Sequence, residues 1–153
     1  MTWTNRVIWS EGLFLKPHHF QQQDRYLEHL VASARGVGVP HPWGLRLLSV
    51  DQDLLALGKL GLTSAAGLLP DGTPVDAPAS DPLPDPLALT ADAAGQILYL
   101  ALPLRRPGAR ESGATDEPQT MLRYRAGEET ARDNTGEAQS EELVEVGRLD
   151  LRL

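Results

Sequence analysis

Histidines are the side chains of this sequence best suited to metal chemistry. His18, His19 and His29 fall in one stretch with Asp24, and His41 follows them. Imidazole and carboxylate groups bind zinc when their spacing brings them to one point. Adjacent side chains on a helix point about 100° apart, so His18 and His19 are poorly placed to share one ion. Surface and helix-capping histidines are the simpler interpretation, and metal-dependent hydrolysis is kept as a third hypothesis.

Other catalytic patterns are incomplete. The chain has no cysteine and no G-x-S-x-G motif, and Ser10 stands beside Glu11 without a histidine in a suggestive position. Gly58-Lys59 is followed by Leu60, where a phosphate-binding loop needs serine or threonine. Four aspartates lie in proline-rich turns, which they stabilise through their own backbone: Asp71, Asp76, Asp81 and Asp85. The sequence therefore predicts a protein that is not an enzyme, with no cofactor and no metal.

Composition restricts the class of partner. The 153 residues carry 14 Lys+Arg against 21 Asp+Glu. An acidic surface repels phosphate backbones and anionic lipid, so neither nucleic acid nor a membrane surface is expected as a partner. No apolar run reaches the ~18–20 residues of a membrane span, and we expect a cytoplasmic protein without membrane insertion.

One long helix precedes the rest of the chain. Pro17 suits a first helical position and Arg35 suits the last turn, so the pattern predicts a helix over about Pro17–Arg35. Three apolar residues recur at helical spacing and are the candidate core of this helix: Phe20, Leu27 and Leu30.

After the helix, short apolar runs alternate with turn residues. This pattern is typical of a mainly β fold, and we predict a β-sandwich of about seven or eight short antiparallel strands in a single domain over 1–153. The strands are predicted within Trp43–Val50, the second half of Leu54–Thr63, both sides of the turn in Leu68–Val75, Leu87–Leu89, Gln96–Leu104, Thr120–Ala126, Glu128–Asn134 and Leu143–Leu153.

Five local features complete this prediction. Gln96–Leu104, the most apolar run, is expected to be a buried central strand. Gly127 is expected to separate two strands, Gly147 to form a bulge, and residues 106–118 to form a mobile loop. Since the chain stops in mid-alternation at Leu153, we expect the native protein to continue.

Aromatic residues are concentrated before and within the helix. Trp9, Phe14, Phe20 and Tyr26 exceed what one amphipathic helix needs for docking on its own domain. Tryptophan and tyrosine dominate the energetics of protein interfaces, so part of this set is interpreted as core and part as a protein–protein anchor. The candidate interface residues are Trp9, Phe14 and Leu15.

The same stretch carries a family resemblance. W-S-E-G-L-F-L-K-P-H-H-F-Q-Q-Q-D-R-Y-L-E, over 9–28, resembles the opening signature of TssK, the trimeric baseplate subunit of bacterial type VI secretion, also called the ImpJ/VasE family. Trp43-Gly44-Leu45, L-P-D-G-T over 69–73 and Y-L-A-L-P-L-R-R over 99–106 resemble later blocks of the same N-terminal region. The resemblance covers essentially the whole chain.

This resemblance implies a function that the composition does not. It implies a shoulder domain that docks on the wedge of TssF and TssG, in a homotrimer located at the inner-membrane-docked baseplate. Contacts with TssL and TssM are implied for regions outside this chain. A ligand- or glycan-binding sandwich of phage receptor-binding type, using Trp43 or Trp9 as a stacking platform, is the alternative.

Overall fold

The longest helix of the protein begins at a proline and ends at an arginine. In the computed structural model, helix α1 spans Pro17–Arg35, so the predicted helix is confirmed at both ends. Pro17 loses nothing by lacking an N–H in the first turn. Arg35 places positive charge at the negative end of the helix dipole. The structure describes residues 4–35, 37–38, 40–113, 121–133, 135 and 140–153.

The described residues divide into two compact units. The first comprises residues 4–44 and 68–73, and the second comprises 45–67 and 74–153. The first contains α1, and the second contains nearly all of the β structure. A single domain over 1–153 stays a prediction.

In the first unit, a tight turn lies against the end of α1. The Leu69 N–H donates to the Thr73 carbonyl and the Gly72 N–H donates to the Leu69 carbonyl, both at 2.9 Å. Gly72 has φ 86°, which favours glycine, and the Asp71 carboxylate accepts the Thr73 N–H at 3.0 Å. Arg35 Nη1 donates to the Gly72 carbonyl at 2.8 Å. The predicted turn is confirmed, and it satisfies the cation at the end of the helix.

The described part of the chain contains eight strands. They are β1 (Gly44–Val50), β2 (Lys59–Leu60), β3 (Leu62–Leu68), β4 (Pro74–Ala77), β5 (Leu87–Ala88), β6 (Ser112–Gly113), β7 (Tyr124–Arg132) and β8 (Glu141–Leu149). They form three sheets, ordered β1-β3-β4, β2-β5 and β6-β7-β8. The mainly β fold behind one long N-terminal helix is confirmed. One pairing departs from the antiparallel prediction, because β6 runs parallel to β7.

A short helix follows β1, before the strand predicted in the second half of Leu54–Thr63. Helix α2 spans Gln52–Ala56, and the Asp51 carboxylate caps it by accepting the N–H groups of Asp53 and Leu54, each at 3.0 Å. Aspartate at this position satisfies donors that have no partner inside the helix.

The prediction of a buried central strand over Gln96–Leu104 is wrong for the described residues. Only Ala101 pairs, in an isolated antiparallel bridge with Arg152. The run is not buried either, because Ile97 is 74% exposed and Tyr99 70% exposed. Apolar β-forming residues predict a strand, but a strand forms only where a neighbouring backbone is available. Within the described residues, Arg152 alone supplies one.

The β7–β8 hairpin corrects two further predictions. β7 runs without interruption through Gly127, which pairs with Val146, so Gly127 does not separate two strands. The register is continuous from Tyr124 opposite Leu149 to Arg132 opposite Glu141, so Gly147 forms no bulge. Both glycines are accommodated inside regular pairing, because the partner strand holds each extended.

The predicted loop over 106–118 is partly structured. The Ala109 N–H donates to the Arg106 carbonyl at 3.1 Å, which closes a turn. Strand β6 then pairs with β7, so the loop prediction is wrong for Ser112–Gly113. Residues 114–118 lie outside the described residues.

The described core is small and lies in the second unit. Its buried apolar residues are Leu62, Ala65, Ala66, Val75, Ala77, Leu122, Leu149 and Leu151. Three of the eight are alanines, so this core buries little side-chain area. In the first unit, helix α1 has no buried residue.

A buried carboxylate organises the end of the β7–β8 sheet. Asp150 is only 3% exposed. Its Oδ1 accepts a short hydrogen bond from Arg125 Nε, and its Oδ2 accepts from Arg152 Nε at 3.0 Å. The Asp150 N–H donates to the Arg123 carbonyl at 2.9 Å. Charge pairing with additional hydrogen bonds is what allows a carboxylate to be buried.

Two further arginines extend this arrangement to the segment before β6. Arg123 is 4% exposed and its Nη1 donates to the Pro103 carbonyl at 2.7 Å. Tyr124 receives a hydrogen bond from Arg105 Nη2 at 2.7 Å, and both guanidinium carbons lie 5.8 Å from its ring centroid. Arg105, Arg123, Arg125 and Arg152, with Asp150 and Tyr124, are called the arginine cluster below.

We predict that Asp150→Asn lowers the free energy of unfolding by about 2–3 kcal/mol, because two guanidinium groups lose their charged partner beside a buried site. Urea unfolding followed by circular dichroism measures this change. Asp76→Asn is the matched control, since Asp76 and Arg46 form an exposed ion pair at 3.6 Å worth about 0–1 kcal/mol. Equal effects of the two substitutions would contradict a structural role for Asp150.

Candidate docking surface

The segment before α1 folds into a turn that presents its apolar residues. The Leu13 N–H donates to the Ser10 carbonyl at 3.2 Å, and Gly12 has φ 79°, a conformation that glycine adopts without strain. Phe14 and Leu15 follow this turn directly. Phe14 is 79% exposed and Leu15 55% exposed.

The start of α1 is held by polar contacts. The Lys16 N–H donates to His19 Nδ1 at 3.1 Å, and the His19 N–H donates to the Lys16 carbonyl at 3.0 Å. Gln22 Nε2 donates to the Asn5 carbonyl at 2.7 Å, which ties the segment before the turn to the helix. The helix therefore positions the segment without burying its apolar side chains.

Trp9 lies over the first turns of α1. Its ring centroid is 6.3 Å from those of both His19 and Phe20, at tilted angles of 47° and 56°. These distances are typical of favourable aromatic pairs. Trp9 is still 46% exposed, so one face of the indole is covered and part of it remains accessible.

The core role predicted for one face of α1 stays a prediction. Phe20 is 54% exposed, Leu27 45% and Leu30 50%. Val31 adds to the same face and is 49% exposed. These residues share one side of the helix by spacing, and within the described chain that side is about half exposed.

Two exposed features were not predicted from the sequence. Ile8, beside Trp9, is 85% exposed and extends the apolar surface of this segment. Ile97 and Tyr99 are exposed in the second unit, where a core strand was predicted. Ile8 lies in the aromatic-rich stretch, and this position could have indicated that it belongs to the exposed surface. No feature of the sequence indicates that Ile97 and Tyr99 are exposed.

The histidines do not form a metal centre among the described residues, where no group of three or more histidine, aspartate or glutamate side chains could hold an ion. His18, His19 and His29 lie along α1, and His19 is engaged with the Lys16 backbone. His41 has φ 54° and its carbonyl accepts the Trp43 N–H at 2.8 Å. None of the described helices is both long and apolar enough to cross a membrane.

Comparison with known proteins assigns the family. The family described as "Bacterial Type VI secretion, VC_A0110, EvfL, ImpJ, VasE" matches residues 19–153. The chain belongs to this VasE family. A curated relative, the "Type VI secretion system baseplate component TssK1" of Pseudomonas aeruginosa, is 44% identical over all 153 residues. The chain spans 34% of that relative's length.

Solved structures agree with this assignment. A crystal structure of TssK is 36% identical, with a TM-score of 0.88 over 97% of this chain and 34% of its own. A cryo-electron microscopy structure of a TssK-TssF-TssG baseplate subcomplex contains a chain that is 32% identical. Its TM-score is 0.81 over 97% of this chain and 50% of that one. The fold of this VasE-family chain is therefore that of the matched part of TssK.

We predict that Gln22→Ala accelerates tryptic cleavage after Arg6 about fivefold. The lost hydrogen bond to the Asn5 carbonyl is worth about 1 kcal/mol, and cleavage follows the opened fraction of the segment. Gln21→Ala is the matched control, because Gln21 is exposed on the same helical turn. Mass spectrometry of the digest gives both rates. Equal acceleration by both variants would mean that general loss of helix stability, and not the Gln22 contact, controls the segment.

Proposed function

We propose that this chain is the N-terminal part of a longer baseplate protein of type VI secretion and acts as an assembly module. It docks on the wedge formed by TssF and TssG. Three facts support the proposal: the family, the coverage of about a third of a TssK relative, and the similarity to a chain solved together with TssF and TssG. The observation that carries it is the exposure of Phe14 and Leu15 beside a tethered Trp9.

Burial of these side chains against a partner would stabilise the complex. Fully covering one large apolar side chain contributes about 1.5–3 kcal/mol. Aromatic anchors held in one geometry lose little conformational entropy on binding. Trp9 is held against His19 and Phe20, and the turn at Gly12 fixes where the following residues leave it. The affinity in this proposal comes from apolar burial and not from a chemical step.

The wider role of the protein is proposed from the family. The longer protein forms a homotrimer, and regions outside this chain contact TssL and TssM. The assembled protein is cytoplasmic and associates with the baseplate docked on the inner membrane. Residues 1–153 contribute the end of this linkage that faces the wedge.

We predict that Phe14→Ala in the full-length protein weakens binding to a purified TssF–TssG wedge about 10- to 100-fold, as expected for an interface hot spot. The melting temperature should stay within about 2 °C, because a side chain that is 79% exposed contributes little to the fold. Pull-down followed by biolayer interferometry measures the affinity.

Leu57→Ala is the matched control for this measurement, since Leu57 is 76% exposed in the second unit. Its affinity should equal that of the unmodified protein. If Phe14→Ala and Leu57→Ala bind equally well, the docking surface is misplaced. If the folded, unmodified protein does not bind the wedge, the proposed function is wrong.

A further inference from the structure

Gln96–Leu100 is an apolar, β-forming segment with no strand beside it among the described residues. It contains Ile97, Leu98, Tyr99 and Leu100, a composition strongly favoured in sheets. The backbone N–H and C=O groups of an unpaired strand are a template for pairing with another strand. Ile97 and Tyr99, which share one side by strand alternation, are 74% and 70% exposed. Within the described residues, the segment therefore has exposed apolar side chains and backbone groups that no strand pairs.

The bridge next to this segment fixes the geometry of a missing neighbour. The Ala101 N–H donates to the Arg152 carbonyl at 2.8 Å, and the Arg152 N–H donates to the Ala101 carbonyl at 2.9 Å. This reciprocal pair is one hydrogen-bonded rung of an antiparallel ladder. The direction and register of any extension of the ladder are set by this rung.

The ladder cannot grow on one side of the bridge. Its next hydrogen-bonded rung there would join Pro103 and Asp150, and proline has no N–H to donate. The Asp150 N–H is already bound to the Arg123 carbonyl at 2.9 Å. The Pro103 carbonyl accepts from Arg123 Nη1 at 2.7 Å. Growth is therefore possible only from Ala101 toward Gln96.

We infer that, in the longer protein, the residues that follow Leu153 continue this ladder and add as an antiparallel strand to Gln96–Leu100. The first residue after Leu153 then exchanges both backbone hydrogen bonds with Tyr99, and the third does so with Ile97. The inference rests on the proposed place of this chain in a longer protein, and it is independent of wedge docking.

This pairing gives the exposed segment a defined occupant. The arginine cluster holds Pro103 and Arg152 in place, so the bridge is anchored before any strand is added. The occupant closes one edge of Gln96–Leu100 to strands from other molecules. It also joins the second unit to the next region of the protein through backbone hydrogen bonds, so that the connection is rigid and not a flexible linker.

A disulfide register test on the full-length protein decides the inference. Leu98 and the second residue after Leu153 form a non-hydrogen-bonded pair in the predicted ladder, with Cα atoms about 4.5 Å apart, within disulfide range. Replacing both by cysteine should give a disulfide that mass spectrometry detects. Residues 1–153 contain no cysteine that could compete.

Tyr99→Cys combined with the same second cysteine is the matched control. A shift of one residue turns the two side chains to opposite faces of the ladder, so we expect at least about tenfold less cross-linking. Equal or greater cross-linking by the control pair would overturn the register and the inference with it.

Hydrogen exchange of the unmodified full-length protein provides a second measurement that needs no substitution. We expect the amides of Ile97 and Tyr99 to exchange at least about 100-fold more slowly than unpaired amides. Exchange at the unpaired rate overturns the inference. Slow exchange without the Leu98 disulfide means that another strand covers the segment, which also overturns it. A failure of wedge binding changes none of these results.

Discussion

Burial of the Asp150 carboxylate is the constraint on which the order of the second unit depends. A carboxylate that is 3% exposed must be paired, because the cost of removing its charge from water exceeds what packing alone returns. The pairing comes from Arg125 on β7 and from Arg152, which follows β8. The backbone of Asp150 is bound to Arg123. One ionic group thereby joins two segments that are far apart in sequence, residues 123–125 and residues 150–152.

The consequence reaches beyond the sheet. Arg123 binds the Pro103 carbonyl, and Arg105 binds the Tyr124 hydroxyl, so the segment that carries the most apolar residues is attached at its C-terminal end. This attachment explains why Ala101 forms a bridge while Ile97 and Tyr99 stay exposed. The cluster holds the segment in position, but the pairing of its other half requires a strand that the described residues do not contain.

The two units expose different groups that could bind another segment, apolar side chains in the first and backbone hydrogen-bonding groups in the second. In the first, Phe14 and Leu15 offer apolar side chains, which suits burial against a shaped protein surface. In the second, Gln96–Leu100 offers backbone groups in a fixed register, which suits the addition of a strand. A partner that binds by burying side chains can dissociate and be exchanged. A strand from the same polypeptide cannot be exchanged, because it is covalently attached. Under the two proposals, the first surface binds a partner and the second pairs with a following segment of the same protein.

The sequence by itself determined the features that depend on local backbone chemistry and on a long motif. Pro17 and Arg35 delimit α1, the residues around Gly72 form the turn, and the signature over 9–28 resembles the family whose model matches residues 19–153. Tertiary structure alone decided what depends on a neighbour. Among the described residues, Gln96–Leu104 has the composition of a central strand but pairs only at Ala101. Phe20, Leu27 and Leu30 have the spacing of a core face but are 54%, 45% and 50% exposed. Gly127 and Gly147 resemble breaks in the pattern, yet the register of β7 and β8 runs through both. Propensity and periodicity indicate which secondary structure a segment can form. Burial and strand pairing depend on a second segment, so they cannot be predicted from one segment alone.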